Sequence, residues 1–158
     1  MEITVGMKGQ ATTIVERSDT ALEVGSGSLL VYATPCMVAL MEGAACEAIA
    51  EGLKEDQTTV GTALNIEHIS ATPVGLEVHA EAVVTAVEGK IITFEVTAFD
   101  EIGQIGHGTH KRCIVNAQKF LDKAYSKVVE ILARELNIPV NTVTKFGGDS
   151  NIMYEKTK

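Results

Sequence analysis

The chain has 158 residues, 46% of them apolar and 22% charged, with a net charge of −8. That suits one soluble domain with a genuine core, and the acidic balance argues against nucleic acid or an anionic membrane as the main partner. No apolar stretch approaches the ~20 residues of a membrane span, and the start, MEITVGMKGQ, has no basic-then-apolar leader pattern.

Residues 12–17 (TTIVER) read as a short β segment. Residues 18–33 mix turn residues with the apolar patch Leu29-Leu30-Val31-Tyr32 and take no firm assignment. Thr34 then reads as an N-cap and Pro35 as the first residue of a helix running to Leu53. The first half, TPCMVALMEGA, is apolar all round, so it should be buried. Glu42 sits inside that run, and a bare buried carboxylate is costly.

Four β runs follow: Val60–Ala71, Leu76–Val87, Ile91–Asp100 and Gln104–Asn116. Short Gly- or Pro-bearing turns join them, which predicts an antiparallel meander covered by the long helix. Alternation puts Val78, Ala80 and Ala82 on the covered face and His79 between two glutamates on the solvated one. In the first run Thr62, Leu64, Ile66 and His68 share the inward face. A second helix is expected from Phe120, with Val128, Val129, Ile131, Leu132 and Leu136 as its apolar stripe. The architecture is thus α+β, with an antiparallel sheet wrapped around one long central helix and an additional C-terminal helix.

Thr34, Glu42 and His68 place a hydroxyl, a carboxylate and an imidazole on the apolar side. Such a set can activate water or attack directly, move protons near neutral pH and hold a substrate. Each also has a plain role: a cap, a partner for Arg112 or His68, a core histidine. In GHGTHKR, Gly106 to Arg112, the glycines mark either a close approach in the strand or a bulge with a surface ion pair. His107 and His110 fall on opposite strand faces, so the four histidines make no metal site. The three cysteines, Cys36, Cys46 and Cys113, read as small core residues in a reducing cytoplasm. Near the end, ILARELNIPVNTVTKF has a helix-turn-helix rhythm and Gly147-Gly148-Asp149-Ser150 the look of a carrier-protein attachment site. A docked amphipathic helix with a loose tail accounts for both.

TPCMVALMEGA, VGTALNIEHISATPVGLEV, VEGK and EIGQIGHGTHKR, in this order, resemble the fluoroacetyl-CoA thioesterase type of hot-dog protein over residues 5–120. The resemblance implies a hot-dog domain over 1–120, with 121–158 as an added helix and polar tail. It implies an acyl-CoA thioesterase acting through Thr34, Glu42 and His68. Gly61 would lie near the thioester carbonyl and Arg112 near the CoA. CoA belongs to the substrate and no separate cofactor or metal is implied. The partners implied are an acyl-CoA and a second copy, in a homodimer or a higher oligomer built from it. That family carries a phenylalanine-bearing lid before the threonine. Here GSGSLLVYAT has no Phe, which points to a general small or medium acyl group. A non-catalytic acyl-CoA binder on the same fold is the alternative, and DNA binding through the C-terminal segment a third class.

Overall fold

In the computed structural model, residues 1–142 are described. The chain divides into two compact units, residues 1–53 with 59–114, and residues 54–58 with the chain from Val115 on. The first holds most of the sheet: β1 (Lys8–Ile14), β2 (Gln57–His68), β3 (Glu77–Glu88), β4 (Ile91–Asp100) and β5 (Gln104–Asn116). A one-turn helix α1 (Ala21–Val24) precedes the long helix α2 (Thr34–Ile49).

α2 forms where Ala, Met and Leu dominate and Pro35 sits in the first turn. It stops at Ile49, and a 3-10 turn, Ala50–Gly52, follows before the chain extends at Leu53. Thr34 is not the cap. Ala33, with extended backbone, holds that position without a side-chain bond, and Thr34 lies inside the helix. Its hydroxyl is therefore free for other use.

The helix buries Met37, Met41, Ala44, Ala45 and Ile49, a spacing that lines up one face. Opposite lie Val78, Ala80, Ala82 and Val84 of β3, Ile92, Phe94, Val96 and Ala98 of β4, and Ile105 of β5. The expected all-round burial is not found: Ala39, Gly43 and Cys46 are exposed on the other side of the helix. Cys46 is thus no core residue, and Cys36 is half-buried. The short alanines of the sheet, and Gly9 of β1, let α2 lie close. A Cβ on Gly9 would collide with the carbonyl of Ala44 and the amide of Ala48.

The sheet order is β1-β3-β4-β5-β2. β3, β4 and β5 form the expected antiparallel run, but β2 does not pair with β3; it crosses to the far edge and joins β5. Thr62 Oγ1 donates to the Lys111 carbonyl and Ile69 N–H to that of Ile105. Those contacts fix an antiparallel register. The other edge is β1. There the Gln10 N–H donates to Glu47 Oε2 of α2 at 2.6 Å.

β2 changes parity along its length. Near its start the buried Thr59 and Gly61 lie on the side of Glu42. Further on, Ile66 packs on the core and His68 reaches Thr34. Odd positions give way to even ones on the inner side. Leu64, expected inside, is 47% exposed.

The second unit is carried by α3 (Ala117–Leu136). Asn116 caps it, accepting from Lys119 N–H, and bonds Asp56 through its amide. α3 carries the apolar stripe expected from the sequence, Val128, Val129, Ile131, Leu132 and Leu136. The Gly147–Ser150 motif and the end of the helix-turn-helix-like segment lie outside the described residues. Among the described residues no helix is long and apolar enough to cross a membrane, and no group of three or more acidic, His or Cys side chains could hold a metal.

Candidate active site

Two polar centres lie along α2. The first joins the start of the helix to the end of β2: Thr34 Oγ1 is 2.8 Å from His68 Nδ1. His68 Nε2 is buried and makes no hydrogen bond among the described residues. Burial pushes the His68 pKa down, partly opposed by a hydrogen bond with the Ser70 backbone. A neutral imidazole with one nitrogen uncommitted is equipped to take a proton.

The second centre surrounds Glu42, two turns further along. Its Oε2 accepts from Arg112 Nη1 at 2.9 Å. Arg112 is not the surface residue that a strand bulge would make it; it is 6% exposed. Its Nε donates to Thr59 Oγ1 at 2.8 Å and its Nη2 to the Thr59 carbonyl at 3.0 Å. Nη1 also faces His110 Nε2 at 3.2 Å. A guanidinium has five N–H groups, and these contacts occupy four. Gly61 makes the arrangement possible, since a Cβ there would lie 2.6 Å from Glu42 Oε2.

The structure therefore brings Thr34 to His68, and Glu42 to Arg112 and Gly61, as two pairings. Gly61 and His68 are seven residues apart on β2. At ~3.3 Å per residue their Cα atoms stand about 23 Å apart, and side-chain reach leaves Glu42 and His68 on the order of 10 Å from each other within one chain.

His110 and Thr59 were not singled out by sequence reasoning. The signal was there in two alternations, His110-x-Arg112 and Thr59-x-Gly61, which aim neighbouring side chains at one spot. His107, on the opposite face, pairs instead with Glu67 at 3.3 Å. His79 on the outer face bonds Glu81 at 3.0 Å. Among the cysteines, Cys36 is no activated nucleophile: burial, and then Asp19, push its thiol pKa up.

His110 is also depressed, by burial first and by Arg112, against the opposing pull of its Ala63 bond and of Glu42. For both His68 and His110 the folded pKa lies below the ~6.5 of an unfolded chain. The unfolded state then binds protons first as pH falls, so this contribution to stability is complete above about 6.5 and is lost below it. The thermal midpoint is expected to drop between pH 7.5 and 5.5, with a shallower slope in His110→Gln. Equal slopes in melts of the two proteins would contradict this.

The arrangement has known counterparts. A family model described as fluoroacetyl-CoA-specific thioesterase (FlK) matches residues 15–118. The fluoroacetyl-CoA thioesterase of Streptantibioticus cattleyicolor is 40% identical over 97 residues, 61% of this chain and 70% of the relative. A structure of FlK superposes with a TM-score of 0.76 at 32% identity, covering 80% of this chain and 98% of that one. A FlK variant in complex with fluoroacetate and CoA gives 0.71 at 33% identity, over 75% and 99%. A thioesterase superfamily member from Thermus thermophilus gives 0.69 at 28% identity, over 85% and 93%. With the sheet folded around α2, these findings make the chain a hot-dog thioester hydrolase that belongs to the family of fluoroacetyl-CoA-specific thioesterases.

Proposed function

We propose that the chain hydrolyses a small or medium acyl-CoA to the free acid and CoA, with Thr34, Glu42 and His68 as the catalytic set. The observation that carries this reading is the 2.8 Å Thr34–His68 contact at the start of the helix that also presents Glu42. Thr34 holds the thioester carbonyl. Glu42 either attacks it, giving an acyl anhydride that water then opens, or removes a proton from water as that water attacks. In both routes the C–S bond breaks, and His68 takes the proton that the attacking water gives up, directly or by way of Glu42, and delivers it to the CoA thiolate. N–H groups near Gly61 or at the start of α2 favour the oxyanion. Arg112, if it also meets the CoA, does so through the one N–H that Thr59, Glu42 and His110 leave.

The gap between Glu42 and His68 within a chain supports a homodimer in which each site draws on two copies. The exposed Ala39-Gly43-Cys46 face of α2 suits close helix packing in such a pair. Residues 1–120 would form the catalytic domain and 121–158 an appended helix and tail. The absence of Phe from GSGSLLVYAT supports acyl groups beyond fluoroacetyl.

The test is thiol release from a panel of short, branched, aromatic and halogenated acyl-CoAs. Turnover of several small or medium members is expected. Tight binding of the panel without release of thiol would instead identify a non-catalytic acyl-CoA binder.

A further inference from the structure

We propose that His110 is a positioning residue for Glu42, acting through Arg112 as a neutral imidazole that accepts a hydrogen bond. This rests on the reading that Glu42 carries the hydrolysis.

The assignment follows from donors and acceptors. A guanidinium has donors only, so the His110 Nε2 that faces Arg112 Nη1 at 3.2 Å must accept. The ring proton is then on Nδ1, which donates to the Ala63 carbonyl at 2.9 Å. The ring cannot turn away. Its side chain is wholly buried, and it stacks on Phe94 with centroids 6.0 Å apart.

The consequence concerns the direction of one N–H. Thr59 grips one edge of the guanidinium through Nε and Nη2. His110 takes one hydrogen of Nη1, so the other is aimed at Glu42 Oε2. All of these contacts to Glu42 fall on Oε2, which leaves Oε1 for the reaction. The groups facing His110 are Glu42 from α2 at 3.8 Å, Arg112 on its own strand, the Ala63 carbonyl of β2 and Phe94 of β4. Protonating His110 would set an N–H against an N–H at Nη1 and remove the acceptor that orients Arg112.

The test combines kinetics with NMR of 15N-histidine and 13C-glutamate protein. In the wild type, His110 is expected as the neutral Nδ1–H tautomer at pH 7. In His110→Leu, kcat should fall about tenfold to a hundredfold with KM within about twofold, as for a misplaced catalytic group. The Glu42 carboxyl carbon signal should move in the same variant. His110→Gln keeps an acceptor for Arg112 and should restore most of kcat and the wild-type Glu42 signal. A charged ring or an Nε2–H tautomer at pH 7 would overturn the proposal. So would wild-type kcat in His110→Leu, or an unmoved Glu42 signal. If His110→Leu does not fold, the wild-type tautomer and the Glu42 signal of His110→Gln still decide. A wild type that releases no thiol from any acyl-CoA defeats the hydrolysis reading instead, while the tautomer and the Glu42 signal continue to judge the His110–Arg112–Glu42 link.

Discussion

Glu42→Gln should lower kcat for acyl-CoA hydrolysis by about 10²- to 10⁴-fold, the range for removing an acid–base group, and leave the melting curve close to wild type. Glutamine fills the same volume and its Oε1 can still accept from Arg112, so the network around Thr59 and His110 survives. It can neither attack as a carboxylate nor take a proton from water. Gly61→Ala should act in the same direction by another route. Its Cβ would meet Glu42 Oε2 at 2.6 Å and the Arg112 Nη1 at 3.4 Å. The carboxylate is the far end of a flexible side chain and can swing aside, so the fold persists while the Arg112 contact is lost. Steady-state rates and melts of both variants check this. If Glu42→Gln turns over at the wild-type rate, Glu42 has no chemical role, and attention moves to Thr34 and His68 alone.

A second large effect belongs to the fold. Gly9→Ala should destabilise the protein by 3 kcal/mol or more, at or above the ~1–3 kcal/mol typical of overpacked cores. The new Cβ would overlap the Ala44 carbonyl and the Ala48 amide, both backbone, together with Glu47 Oε2 at 2.6 Å. Backbone cannot rotate out of the way, so β1 must lift from α2 and part of the core opens. Gly103→Ala, in the turn between β4 and β5, is the control. Its Cβ would meet nothing within 4 Å among the described residues. Urea unfolding should separate the two clearly, and equal midpoints would contradict the close approach of β1 to α2.

The elements were legible because each carries its own period. β4 and β5 begin and end where alternation and turns place them, and α2 starts at its Thr-Pro pair. Strand order was not legible. β2 has the same alternating look whether it neighbours β3 or β5, and only packing selects the far edge. Parity correctly turned His68 inward yet misplaced Leu64, because the point at which the inward side switches along β2 leaves no mark in a periodic pattern. Thr34 looked like a cap because threonine favours that position, but Ala33 takes it and the hydroxyl goes to His68. The ion pair of Glu42 joins residues 70 apart in sequence. It was foreseen only as one alternative, and His110 not at all, since the value of a buried acceptor emerges only once a donor is known to face it.

The contact between Glu47 and the Gln10 N–H bears on how copies of the chain can join. Both outer strands of an open sheet offer unpaired backbone, and head-to-tail joining of β1 to β2 would run on without end. On β1 a carboxylate already occupies one of those donors, and a third strand arriving there would have to displace it. A single helix carboxylate thus guards the β1 edge against strand addition, the event through which an open sheet edge invites aggregation.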